Sequence, residues 1–167
     1  MIDKGRFHDA IEPLLRAVAI SGPAAQRHAT AMALLRLGFG LGERQDFANA
    51  LRVDLRAAAI FAELGDVEQE LQCRILTGIC EWQLKAYESA IQIFESNAER
   101  ALGAGRTAFR ALAMLSVSCI LVDHLRQYRR AIPYATEAAR LFRSTANHEQ
   151  AAHALRHLNE ARHGGNA

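Results

Sequence analysis

Phe47-Ala48-Asn49-Ala50 returns as Tyr87-Glu88-Ser89-Ala90 and as Tyr128-Arg129-Arg130-Ala131, and Phe7-His8-Asp9-Ala10 anticipates it. The four aromatic-x-x-Ala stretches stand 40, 40 and 41 residues apart. A fixed period of this size marks stacked supersecondary units, none of which can bury its apolar face alone. Eighteen residues after each aromatic come Ala25, Gly65, Gly105 and Ala146, within Leu64-Gly65-Asp66, Ala104-Gly105-Arg106 and Ala146-Asn147. Gly and Asn suit the left-handed backbone that ends a helix, so each unit reads as two helices. Nine residues before the later aromatics stand Gly38, Gly78 and Cys119, small side chains that let two helix backbones approach closely.

Ala and Leu dominate, only three prolines occur and 7% of residues are aromatic, a balance that favours helix. The expected fold is all-α: antiparallel helix pairs in an α-solenoid, one domain over residues 1–167. Eight helices are expected: Phe7 to Ile20, Ala24 to Leu41, Phe47 to Leu64, Val67 to Leu84, Tyr87 to Leu102, Thr107 to Leu125, Tyr128 to Phe142, and His148 to His163. Pro133 falls near a helix start, where its missing N–H does least harm. The last helix, 148–163, carries a polar face that suits a C-terminal cap.

Charge excludes some classes of partner. Twenty basic and 18 acidic residues leave a formal charge of +2 and are scattered, whereas nucleic-acid binders concentrate basic charge on one face. No apolar stretch approaches the ~20 residues of a bilayer span and no secretory signal opens the chain, so neither nucleic acid nor membrane is expected as a partner and the expected location is cytoplasmic. Cys73, Cys80 and Cys119 lack metal-like spacing and read as reduced core residues. There is no Gly-rich phosphate loop, nucleophile elbow, His-Glu-x-x-His or Cys-x-x-Cys, and neither enzymatic activity nor a cofactor is expected. His153 and His157, four apart with Glu160 following, make the one metal-like arrangement. On an exposed polar helix such a pair reads as solvated, so no metal site is expected.

The small residue (Gly38, Gly78), the aromatic (Phe47, Tyr87), the Ala (Ala50, Ala90) and the closing Leu64-Gly65-Asp66 together resemble the tetratricopeptide repeat. The units are longer than the usual 34 residues, as in long-repeat arrays of bacterial signalling proteins. HEAT and armadillo repeats also have such a period; the aromatic-x-x-Ala register and the paired small residue favour the tetratricopeptide reading. The resemblance implies a right-handed superhelix whose concave face, lined by the first helix of each pair, binds a helical or extended peptide. In register, Met32, Leu35, Phe39, Gly42 and Glu43 would line it, then Gln72, Ile75, Ile79, Trp82 and Gln83, then Ala113, Ser116, Ile120, Asp123 and His124. The alternative is that these residues pack on one another as core. Trp82 aligns with Gly42 and would fill or flank the notch left by that glycine. The Lys-, Asn- and Arg-bearing carboxylate clamp of some family members has no counterpart on this strip.

The expected function is therefore a protein-interaction scaffold. Alternatives are a ligand-sensing region of a bacterial signalling or transcription-regulator protein and, less favoured, a secretion chaperone. The first aromatic comes at Phe7, so the first unit lacks its leading helix. An apolar edge at Ile11, Leu14, Leu15 and Val18 is expected, to be covered either by further repeats of a longer array or by a second copy of the chain in a homodimer.

Overall fold

The computed structural model describes residues 9–13, 15–16 and 24–164, which are helical throughout apart from short turns. Helix α1 comprises the described residues 9–13 and 15–16. It is followed by α2 (Ala24–Glu43), α3 (Phe47–Leu64), α4 (Val67–Gln83), α5 (Tyr87–Gly103), α6 (Thr107–Cys119), a π-helical turn (Ile120–His124), α7 (Tyr128–Ser144) and α8 (His148–Gly164). From α2 onward the boundaries agree with the sequence periodicity to within two residues except in the sixth helix; the ends expected for the first, Phe7 and Ile20, lie outside the described residues. Pro133 lies inside α7 rather than at its first turn, on an exposed side where water can meet the freed carbonyl.

Every turn between these helices, from α2 onward, is made the same way. One residue takes a left-handed conformation: Gln45, Gly65, Lys85, Gly105, Arg126 and Ala146, with φ of 63°, 74°, 64°, 67°, 55° and 55°. The next helix opens at once. Asp46 and Asp66 accept hydrogen bonds from the backbone N–H of Asn49 and Gln69, and the Asn147 side chain accepts from Gln150 N–H. The left-handed positions advance by twenty residues except between Gly105 and Arg126, where they advance by 21. That interval holds the extra residue of the 41-residue repeat, and the helix absorbs it as the π-turn, where Leu125 N–H donates to Ile120 O at 3.1 Å.

The chain forms two compact units, one up to Ala86 and one from Tyr87. In the first, α2 packs on α3, α3 on α4, and α2 on α4. Its core joins Ile11, Leu34, Leu41, Val53, Ile60, Phe61, Cys73 and Cys80. In the second, α5 packs on α6, α6 on α7 and α7 on α8, with Phe94, Ile120, Leu121, Val122 and Phe142 buried. The repeat alanines Ala50, Ala90 and Ala131 are wholly buried, which explains the motif: a methyl there lets neighbouring helices close up. Each fully buried Phe, such as Phe61 or Phe94, contributes about 1.5–3 kcal/mol of hydrophobic burial.

Two sequence expectations need correction. Residues Thr107–His124 do form an 18-residue helical stretch apolar enough in length and composition to cross a membrane, with mean hydropathy 1.3. Over half of it (56%) is buried inside the protein, as expected of a core helix packed on α5, α7 and α8. Ile11 is only 3% exposed, so it offers a partner no surface, while Leu15 is half-buried against the first unit's core. Leu14 and Val18 lie outside the described residues.

Candidate binding pocket of the first unit

Helices α2, α3 and α4 border a cavity of about 520 Å³, lined by Gly38, Phe39, Gly42, Glu43, Gln45, Phe47, Asp54, Leu76, Ile79, Cys80 and Gln83. Phe39 is 57% exposed although it belongs to a helix rich in buried leucines. A side chain added at Gly42 would meet nothing within 4 Å, so the notch predicted there stays open.

The distinctive residue is Asp54. It is 1% exposed, and neither carboxylate oxygen has a hydrogen-bond partner. A Cβ at Gly38 would stand 1.9 Å from Asp54 Oδ1 and 2.7 Å from its Cγ. The glycine therefore makes room for a carboxyl group, in addition to any role in helix approach. Burial pushes the Asp54 carboxyl up to about 7, because the charged form loses its hydration and gains nothing in exchange. Near neutral pH the group sits at its titration midpoint, and a hydrogen-bond donor or cation placed against it would draw it into the ionised form. Burial, then the Asp54 charge, raises Cys80 and Cys73 to about 12, so both are unreactive thiols.

The residues expected to bind a partner divide by location. Phe39, Ile79 and Gln83 all line the cavity, with Gly42 and Glu43. Met32 is half-buried against the core, and Leu35 and Ile75 are buried. Trp82 is half-buried and lies outside the lining. Of the second-unit residues, Ser116 and Ile120 are buried. The Ser116 hydroxyl donates to Leu112 O at 3.0 Å. His124 is exposed and stacks on Tyr87, ring centroids 4.8 Å apart. Burial leaves Leu35, Ile75, Ser116 and Ile120 no surface for a partner. The physical reason is that α2 packs against α4 in one unit, and α5, α7 and α8 cover α6 in the other, so much of the supposed groove stripe is core.

Asp54 was absent from the sequence-based site, yet the period carries a signal for it. Seven residues after each aromatic come Leu14, Asp54, Phe94 and Ala135: three apolar residues and one acid. Phe94 and Ala135 are fully buried, so an acid at this register had to be a buried one.

The second unit gathers a different set. Cys119 Sγ lies 3.4 Å from His157 Nε2, which lies 3.0 Å from His153 Nε2. Glu160, the third residue of the metal-like arrangement read from sequence, instead groups with Asp123 and the opposite side of His157.

No family model and no curated protein matches this chain. Solved structures do. The crystal structure of aspartyl phosphate phosphatase F from Bacillus subtilis superposes with a TM-score of 0.70 over 95% of this chain, at 16% identity. The apo form of RapI gives 0.52 over 98%, at 17% identity. The likeness shows the fold: an all-α helical repeat. This chain spans 45% of the first protein's length and 64% of the second's.

Proposed function

We propose that this chain is a protein-interaction module of the tetratricopeptide type, which holds a helical or extended segment of another protein in the α2–α4 pocket. The observation that carries the reading is the pairing of an exposed Phe39 with a buried, unpartnered Asp54 in one cavity. An aromatic at the rim and a carboxyl at the base favour a segment that offers an apolar side chain beside a donor or cationic group. Such an occupant supplies the hydrogen bonds Asp54 lacks, and the gain from satisfying a buried acid is larger than that of an exposed ion pair.

Selection of peptides from a random-sequence display library, followed by calorimetry on the winners, tests this reading. Selected sequences should carry a Lys or Arg near an apolar residue. Ile79→Glu and Phe39→Ala should each weaken binding at least about tenfold, while circular dichroism stays unchanged. Enrichment of nothing above background, or peptides that bind Ile79→Glu as tightly as wild type, would reject the pocket as the binding surface.

A second reading, that this is the ligand-sensing region of a regulatory protein, gains from the same carboxyl, since a small amine can meet Asp54 as well as a side chain can. A thermal-shift screen of amines and other metabolites separates the two, because a specific ligand raises Tm by mass action. A ligand whose stabilisation disappears in Asp54→Asn would favour sensing.

A further inference from the structure

On α8, His153 and His157 stand one turn apart, and their rings lie near the C-terminal end of α6. Cys119 Sγ, His153 and His157 each offer one donor atom, and the three atoms all lie within 4.8 Å of one another, His153 to His157 at 3.0 Å and Cys119 to His157 at 3.4 Å. Cys119 and His157 are buried and His153 is half-buried. A neutral imidazole nitrogen carries either a proton or a lone pair. The His157 Nε2 therefore cannot form separate, complementary hydrogen bonds to both a thiol and a second imidazole. Three donor atoms within 4.8 Å of one another, by contrast, suit a cation.

The far side of His157 is consistent with that role. Its Nδ1 is buried without a hydrogen-bond partner and faces Asp123 Oδ1 at 3.9 Å. A carboxylate there favours the proton on Nδ1, the tautomer whose Nε2 lone pair points to Cys119 and His153. Asp123 belongs to the π-turn that directly follows Cys119, so the extra residue of the longest repeat lies at this cluster. Around tetrahedral zinc, with Zn–N about 2.0–2.1 Å and Zn–S about 2.3 Å, ligand atoms stand roughly 3.3–3.6 Å apart. The 3.4 and 3.0 Å separations stand near that spacing, and side-chain rotation can bring the third pair, within 4.8 Å, to it.

We propose that Cys119, His153 and His157 bind a thiophilic divalent cation of the zinc class, with Asp123 orienting His157 and the fourth position taken by water. One sulfur and two imidazoles exclude the hard cations calcium and magnesium, which take oxygen ligands. Binding displaces the Cys119 thiol proton to solvent and leaves the thiolate as ligand. The ion links the end of α6 to α8 and stabilises the second unit by mass action.

Titration of the untagged, reduced chain with Zn(II) against a chromophoric chelator, and with Co(II) by absorption, tests the site. The expected result is one equivalent bound with micromolar or tighter affinity, tetrahedral Co(II) bands, and a near-ultraviolet thiolate-to-Co(II) band. Cys119→Ser should abolish that band, and His153→Ala should weaken Zn(II) binding at least about tenfold. His148→Ala and His163→Ala, on the same helix, should change neither. His153 is only half-buried, so its variant keeps the test decisive if Cys119→Ser fails to fold. Absence of stoichiometric binding, a Co(II) spectrum without the thiolate band, or equal weakening by His148→Ala would overturn the proposal.

Discussion

The two units place different chemistry at one repeat register. In the first, Gly38 on α2 abuts the buried carboxyl of Asp54 on α3, and a cavity opens beside the pair. In the second, the corresponding positions are Cys119 and Ala135, both buried. There the acid is replaced by a methyl, and the small residue before the turn is a thiol that reaches α8. The helix-on-helix geometry of a repeat thus tolerates an exchange of volume between facing positions, as long as the sum fits. An acid at this register needs a glycine opposite, and it leaves its own polar group unsatisfied.

The largest test of this contrast is pH. An unfolded carboxyl releases its proton near its ordinary value of 3.8, whereas the folded Asp54 holds it until about 7. Between these values the native state carries the extra proton, so this group makes the protein less stable as pH rises from about 4 to 7, with no further change above. The total is roughly 4 kcal/mol. Asp54→Asn should lose this part of the pH dependence and gain most over wild type at pH 8, measured by urea unfolding across pH. An unchanged profile would mean that Asp54 meets water or a counter-charge in solution.

A smaller effect is expected at the facing glycine. Gly38→Ala should cost about 1–3 kcal/mol, because the new methyl collides with a short, buried side chain. In an Asp54→Ala background the same change should be close to neutral, and the double-mutant cycle reads the coupling directly. Equal costs in both backgrounds would assign the glycine to helix approach alone.

The smallest effects separate the turns, which both units build alike, from the sites, which they do not. Ala146→Gly should stabilise by up to about 1 kcal/mol, since a non-glycine residue at φ 55° is strained. Gly65→Ala should destabilise by a similar amount through backbone strain alone, since an added Cβ at φ 74° meets no neighbouring atom. Thermal unfolding resolves both. Matching signs would show that side-chain contacts, rather than backbone conformation, set these turns.

The sequence made the helices legible with little loss. Phe47–Leu64 is read to the residue, because an aromatic start, a buried Ala and a terminal Gly-Asp pair are all local signals. The turns at Gln45, Lys85 and Arg126 carry no glycine, so only their place between periodic segments marks them. The candidate site was read in part. Phe39, Ile79 and Gln83 fell in the pocket, while Leu35, Ile75 and Ile120 turned inward, because a helix covered on several sides buries more than a single stripe. The single acid at the Asp54 register stood in the sequence, but its meaning depended on knowing that this register is core.

By itself the sequence determined the period, the helix order and the positions of the turns, since each depends on residues within one or two turns of one another. Tertiary structure alone decided that Asp54 meets Gly38 and that Cys119, 38 residues before His157, lies against its imidazole. Those encounters depend on how packed helices are rotated about their axes. A rotation of one residue, 100° on a helix, changes which side chains meet while leaving every local pattern intact.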